Sequence, residues 1–151
     1  MILVDANVFV MDLRYERDRA FGDNRAFLDA LAQSGQGGVT LYTLLEVAGV
    51  LSFNLNPRQL RELTVHFPRR YHVAVLPPLD LAAEVPTASV GAVLARMAGR
   101  CGLGDALTAE LVERLAPPDS CFVTWDVEHF RGRTTLAVQS PNEWLAAQPS
   151  R

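Results

Sequence analysis

Short apolar segments alternate along the chain with longer segments of helical periodicity, and this alternation restricts the possible folds most strongly. Five segments predict β-strands, the last of them weakly: residues 1–4, 39–42, 71–76, 121–124 and 135–138. Continuous apolar runs of this length are typical of strands that are covered on both faces. We therefore predict a central, mainly parallel β-sheet between two layers of helices, which is a three-layer α/β/α sandwich.

Capping residues and apolar periodicity predict the helices between these strands. Asn24 is suited to cap a helix that ends near Gln33. Further helices are expected at residues 43–53, 56–67, 80–99 (with a break at Pro86), 103–115 and 140–147. With 151 residues, no internal repeat and no long linker, residues 1–151 are predicted to form one domain.

Composition excludes several classes of function. The net charge is −3, whereas a general polyanion binder is usually basic, so any nucleic-acid contact must be local. All 14 basic residues are arginine, which excludes Schiff-base lysines and the phosphate-loop lysine.

The same composition indicates a cytoplasmic protein. Cys101 and Cys121 form no CxxC pair and are predicted to be buried, reduced thiols. The first apolar run, Met1–Val4, is too short for a signal peptide or a membrane span. We expect no membrane association.

Two acidic residues lie at or just beyond the ends of predicted strands. Asp5 ends the first strand, and Asp126 comes shortly after the strand at residues 121–124. In open α/β sheets, ligands bind beyond the carboxyl ends of the strands. The two carboxylates are therefore expected at one edge of the sheet.

Two further acids, Asp105 and Glu46, have both a local and a functional interpretation. Asp105 lies at the start of a helix, where capping and the helix dipole favour acids. Glu46 forms a possible capping box with Thr43, yet it lies in the otherwise apolar segment LLEVAGVL. If all four carboxylates meet, Mg²⁺ or Mn²⁺ would offset their repulsion and assist phosphodiester hydrolysis.

At this point the sequence resembles a known family, the PIN-domain nucleases, and within it the VapC-like toxins of type II toxin–antitoxin pairs. The matching segments span nearly the whole chain: VDANVFV, LLEVAGVL, GLGDALTAEL, FVTWDVEHF and SPNEWL. The resemblance implies a PIN-like fold and an endoribonuclease that cuts structured RNA such as tRNA or rRNA. It also implies an Mg²⁺ or Mn²⁺ cofactor, a homodimer and a small antitoxin partner.

The resemblance also assigns site residues. It implies a catalytic set of four acids, Asp5, Glu46, Asp105 and Asp126, of which the three aspartates would bind the metal ion. Asn7 and Thr124 would support them. The last motif has one residue more than the usual spacing before Phe130, which leaves open whether Asp126 or Glu128 completes the site.

Other residues near these motifs are candidates for binding RNA. Arginines follow the first strand (Arg14, Arg17 and Arg19) and the last motif (Arg131 and Arg133). They would form a basic rim for the RNA backbone, although charged loop residues are usually only solvated. Trp125 would stack on a base or belong to the core. His129 would contact phosphate or be structural.

Two other functions compete with that of a nuclease. A phosphatase or receiver domain relies on a paired acid and a lysine, so Asn7 and the absence of lysine disfavour it. A non-catalytic PIN-like module would bind RNA or a protein partner without cleaving RNA.

Overall fold

The structure, a computed structural model, describes residues 1–148 and contains five strands among the helices of an α/β fold. The strands are β1 Ile2–Val4, β2 Gly37–Thr40, β3 Val73–Leu76, β4 Cys121–Val123 and β5 Ala137–Gln139. The helices are α1 Ala6–Arg14, α2 Phe21–Ser34, α3 Leu41–Ser52, α4 Pro57–Tyr71, α5 Val90–Met97, α6 Leu103–Leu115, α7 Val127–Phe130 and α8 Pro141–Ala146.

The strands form one parallel sheet in the order β3-β2-β1-β4-β5. In the central strand β1, Leu3 is paired with Gly38 on one side and with Phe122 on the other. All four strand pairs are parallel, so the predicted parallel sheet is confirmed. Because β1 and β4 are neighbours, their carboxyl ends bring the residues after Val4 and Val123 together.

Successive side chains of β1 point to opposite faces of the sheet. Ile2 and Val4 pack in a large core with residues of α1, α2, α3, α4 and α8. Leu3 packs on the other face with residues of α6 and α7, among them Val112 and Phe130. The sheet is therefore covered on both faces, and the predicted α/β/α sandwich is confirmed.

Several predicted boundaries were wrong near the start of the chain. Helix α2 begins at Phe21, and Asn24, which was expected to cap it, lies fully buried inside it. Strand β2 begins at Gly37 and ends at Thr40, and Thr40 caps α3.

Gly38 in β2 lies close to the side chain of Met1. A Cβ at Gly38 would lie 2.6 Å from the Met1 Sδ atom, so the Met1 side chain occupies the space that any larger residue would need.

Residues 80–99 contain far less helix than predicted. Only Val90–Met97 are helical, and Ser89 caps this helix by accepting a hydrogen bond from the Ala92 N–H. Pro86 lacks an N–H donor and disfavours helix in the residue before it. Residues 80–89 consequently form turns and irregular chain.

The remaining helices agree closely with the sequence. The helix at 103–115 has the predicted bounds, and Ser140 and Glu143 form the predicted capping box. Helix α4 has its predicted cap, Asn56, but continues through Pro68 to Tyr71. Cys101 and Cys121 are free thiols as expected, although both are half-buried rather than buried. Within residues 1–148, no helix is long and apolar enough to cross a membrane.

Candidate active site

Asp5 lies where β1 ends and α1 begins, at the carboxyl edge of the sheet. It is the N-cap of α1, and its Oδ1 atom accepts a hydrogen bond of 2.8 Å from the Ala6 N–H. The residue is only 6% exposed. A carboxylate that is buried to this degree is costly unless neighbouring groups compensate its charge.

Thr124, at the end of β4, connects Asp5 to the next strand. Its hydroxyl donates a hydrogen bond of 2.6 Å to Asp5 Oδ2. The Thr124 Oγ1 atom also accepts hydrogen bonds from Asn7 Nδ2 at 3.0 Å and from the Asp126 N–H at 3.0 Å. A hydroxyl has one donor and two acceptor sites, so the hydrogen-bonding capacity of Thr124 is fully used.

Asn7, in the first turn of α1, completes this network. Its Nδ2 also donates to Asp126 Oδ2 at 3.1 Å, and its Oδ1 accepts from the Trp125 N–H at 3.2 Å. Asn7 and Thr124 thus join Asp5 to Asp126 at adjacent strand ends. Both supporting residues that the resemblance implied lie between the first and the fourth acid.

The pKa of Asp5 is raised to about 7. Burial is the main cause, the hydrogen bond from Thr124 opposes it, and the nearby negative charges of Glu46 and Asp126 raise the pKa further. The hydrogen bond from the Ala6 N–H also lowers it. The two acids that act on Asp5 come from α3 and from the turn after β4.

Glu46 and Asp105 form the second half of the acidic cluster. Burial and the negative charge of Asp105 raise the pKa of Glu46. Tyr42 lies close to both acids, because the charges of Glu46 and Asp105 raise its pKa together with burial, which is the main cause. Tyr42 was not among the predicted site residues, because residues 39–42 were predicted to form a strand. In a helix, Tyr42 and Glu46 lie four residues apart on one face.

Local capping does not account for either acid. The N-cap of α3 is Thr40, whose side chain accepts from the Thr43 N–H, so the expected capping box of Thr43 with Glu46 was wrong. Asp105 lies in the first turn of α6, but the N-cap is Gly102 and has no side-chain cap bond. Asp105 Oδ2 instead lies 3.3 Å from His129 Nδ1.

The last motif places Asp126, rather than Glu128, against the other acids. Asp126 contacts Asn7 and affects the pKa of Asp5, as described above. Glu128 is exposed in α7 and has no part in the network of Asn7 and Thr124. The geometry therefore favours Asp126 as the fourth acid.

The four acids do not form a preformed metal cage. Within residues 1–148, no three His, Cys, Asp or Glu side chains are placed so that they could hold one metal ion. In the same range, no ion pair joins Asp5, Glu46 or Asp126 to an arginine or histidine. Mg²⁺ usually keeps several waters and binds one or two carboxylates. Uncompensated carboxylates of this kind fit a hydrated Mg²⁺ or Mn²⁺ ion.

The arginines after the first strand were expected to form a basic rim beside the acids. Helix α1 separates Arg14 from Asp5 by nine residues, about 14 Å along the helix axis. Arg17 and Arg19 lie beyond Arg14, in the connection to α2. Position after the first strand alone therefore does not bring these arginines to the acids, and their binding to RNA stays a prediction.

The two arginines after the last motif have structural contacts. Arg131 Nη2 lies 3.1 Å from both carboxylate oxygens of Glu143. Arg133 donates to the main-chain carbonyls of Gly99, Glu128 and His129. These contacts hold the segment after α7 against its neighbours and compete with any contact to RNA.

The metal-free protein is expected to become less stable as the pH rises from 4 to 7. Folded Asp5 keeps its proton up to about pH 7, whereas its reference pKa is 3.8, so folding takes up a proton in this range. The corresponding loss is on the order of 4 kcal/mol of unfolding free energy, and it levels off above pH 7.

Urea unfolding of the wild type and of Asp5→Asn at several pH values in EDTA measures this effect. The difference between the two curves isolates Asp5 from the other titrating groups. The wild type should lose stability relative to the variant between pH 4 and 7. A difference that does not change with pH would contradict the raised pKa.

Comparison with known proteins shows the same fold in chains of solved structures. One is from FitAB bound to an IR36 DNA fragment, with 20% identity, a TM-score of 0.57, and coverage of 93% of this chain and 95% of that chain. Another is from VapBC2 of Rickettsia felis, bound to a DNA fragment from their promoter, with 16% identity, a TM-score of 0.59 and coverage of 93% and 98%.

A third is from FitAcB of Neisseria gonorrhoeae, with 22% identity, a TM-score of 0.58 and coverage of 93% and 98%. No family model and no curated protein matches the chain. At these identities the likeness establishes the fold, and the predicted PIN-like architecture is confirmed over nearly the whole chain.

Proposed function

We propose that this chain is a metal-dependent endoribonuclease and the toxin of a VapBC-type toxin–antitoxin pair. The observation that carries the proposal is the buried Asp5 carboxylate, joined through Thr124 and Asn7 to Asp126 and subject to the charge of Glu46. Such a concentration of negative charge at the carboxyl edge of a parallel sheet suits a divalent cation. The fold shared with chains from FitAB and VapBC2 supports the same function.

Asp5, Asp105 and Asp126 would hold the metal ion, Mg²⁺ or Mn²⁺, one or two of them directly and the rest through water molecules. When bound, the ion would supply charge stabilisation for the phosphodiester that is hydrolysed. Thr124 and the Ala6 N–H fix the orientation of the Asp5 carboxylate by hydrogen bonds to its two oxygens. Glu46 has a raised pKa, which favours its carboxylate as the acceptor of a proton from the attacking water near neutral pH.

The partners follow from the same proposal. We expect a homodimer, a small antitoxin protein and a cytoplasmic location, in which RNA such as tRNA or rRNA is the substrate. FitAB and VapBC2 are bound to DNA fragments in the solved structures, and the DNA fragment with VapBC2 comes from their promoter. For this chain, DNA contact would belong to the antitoxin, since the chain itself is acidic with a net charge of −3.

The absence of a three-ligand cluster among residues 1–148 favours one alternative, a non-catalytic PIN-like module. Such a module would bind RNA or a protein partner and leave the RNA intact. Its predictions differ from those of the nuclease at a single point, which is whether bound RNA is cleaved.

Purified protein is expected to cleave a structured RNA in millimolar Mg²⁺ or Mn²⁺ and to stop when EDTA removes the metal. Gel analysis of an end-labelled RNA hairpin measures the cleavage, and a DNA of the same sequence tests the choice of nucleic acid. Equal cleavage in EDTA would contradict metal dependence. RNA that is bound but intact with both metals would favour the non-catalytic module.

A further inference from the structure

Two hydrogen bonds hold Trp125, one through its main chain and one through its side chain. Its main-chain N–H donates to Asn7 Oδ1 at 3.2 Å, and its indole Nε1–H donates to Asn24 Oδ1 at 2.8 Å. The ring packs against the core beside α1 and α2. Trp125 is half-buried, and these contacts fix the orientation of its ring against the core.

Asn24 is a fully buried amide in the interior of α2. Its Nδ2 donates to the Val8 carbonyl of α1 at 3.0 Å, while its Oδ1 accepts from the indole of Trp125. An amide is buried without large cost only when its polar atoms are bonded, and here both are. Asn24 therefore joins α1, α2 and the turn after β4.

That turn, residues 124–126, carries two residues of the candidate site. The Asp126 backbone has φ −95° and ψ 51°, outside regular helix and strand. The N–H groups of Trp125 and Asp126 donate to side chains, namely Asn7 Oδ1 and Thr124 Oγ1. The Thr124 N–H still donates to the Gln139 carbonyl of β5, so the strand ladder ends at Thr124. Beyond it, side-chain contacts determine where the Asp126 carboxylate lies.

We propose that Asn24 and Trp125 are positioning residues of the active site. Asn24, through the indole of Trp125, fixes residues 125 and 126 of the turn and with them the placement of Asp126 relative to Thr124 and Asp5. The effect on catalysis rests on the proposed nuclease function, whereas the effect on the turn does not.

Hydrogen exchange at the amides of residues 125 and 126 tests the positioning directly. Trp125→Phe keeps an aromatic ring but removes the Nε1–H, and Asn24→Leu keeps the approximate volume but removes both hydrogen bonds. Each variant should speed exchange at these two amides about tenfold, the usual worth of one hydrogen bond.

Asn142→Ala is the matched control. It removes a hydrogen bond of 3.0 Å to Asp23, also in α2, but from α8 rather than from the turn. Exchange at residues 125 and 126 should stay at the wild-type rate in this variant. Unchanged exchange in Trp125→Phe, or equal acceleration in Asn142→Ala, would overturn the positioning role.

The Mn²⁺ concentration that gives half-maximal cleavage provides a second readout. Each positioning variant should raise it about tenfold or more, as is typical when a partner that orients metal-binding groups is lost. The double variant Asn24→Leu/Trp125→Phe should match the single variants, because both disrupt one connection. An additive double effect would overturn the claim that Asn24 acts through the indole.

The two readouts also separate this inference from the proposed function. Faster exchange at residues 125 and 126 in the variants would support the positioning role even if the wild type cuts no RNA. The lack of RNA cleavage by the wild type would contradict only the nuclease function.

Discussion

Asp5→Asn is expected to lower metal-dependent RNA cleavage by about a thousandfold without loss of folding. The substitution removes the buried negative charge that faces Glu46 and Asp126. Loss of several kcal/mol of charge stabilisation at a metal centre corresponds to a rate effect of about this size. Single-turnover cleavage of a labelled RNA hairpin, at saturating Mn²⁺ and protein, measures the change.

The stability of Asp5→Asn distinguishes a chemical effect from unfolding. At pH 8 a neutral amide avoids the cost of the buried charge, and its Oδ1 can still accept from the Ala6 N–H. The gain is partly offset, because the new NH₂ meets a Thr124 oxygen that already accepts two hydrogen bonds. In EDTA the variant should unfold at no lower urea concentration than the wild type. Wild-type cleavage by a folded variant would remove Asp5 from the mechanism.

Asp12→Ala is expected to have the opposite pattern, a large loss of stability with cleavage retained. Asp12 is a second buried acid, inside α1 rather than at its N-cap, with a side chain only 2% exposed. Its oxygens bind Arg25 Nη1 at 3.0 Å and the Tyr71 hydroxyl at 2.8 Å, and Arg70 Nη2 lies 3.9 Å away. The variant leaves the buried Tyr71 hydroxyl without this acceptor.

The expected cost is about 3 kcal/mol, the lower end for loss of one partner from a buried pair. Arg25 and Arg70 are each about half exposed and can return to water, which limits the cost. Urea unfolding measures the free energy, and cleavage assayed well below the unfolding temperature should stay near the wild-type rate. Asp12→Asn, which keeps one acceptor oxygen, should lose less stability. A folded Asp12→Ala that is inactive would extend the catalytic site beyond the four proposed acids.

The contrast between these two acids illustrates what local sequence can predict. Asp5 follows an apolar strand, and strand ends of parallel sheets are where ligands bind, so its place was predictable. Asp12 lies in α1, a helix whose bounds no sequence pattern predicted. Its partners Arg25, Arg70 and Tyr71 are distant in sequence, and no local pattern indicates that they meet.

Local patterns also predicted where two helices begin. Capping residues and prolines act within one helical turn, so the caps of α4 and α8 were predicted correctly from Asn56 and Ser140. Asn24 has the same capping preference, yet it lies inside α2 because its amide satisfies Val8 and Trp125 instead. In that case tertiary hydrogen bonds outweighed the local preference.

The sequence by itself determined the parallel α/β/α architecture and the placement of Asp5 and Asp126 at strand ends on one edge of the sheet, because apolar runs and strand-end positions are local properties of the chain. That these two strands are neighbours came only with the strand order of the sheet. Only the tertiary structure decided that Tyr42 joins Glu46 and Asp105, that Arg131 and Arg133 bind the protein itself, and that Asn24 holds Trp125. These contacts join residues of separate elements. Their geometry depends on how the helices pack on the sheet, which no local pattern specifies.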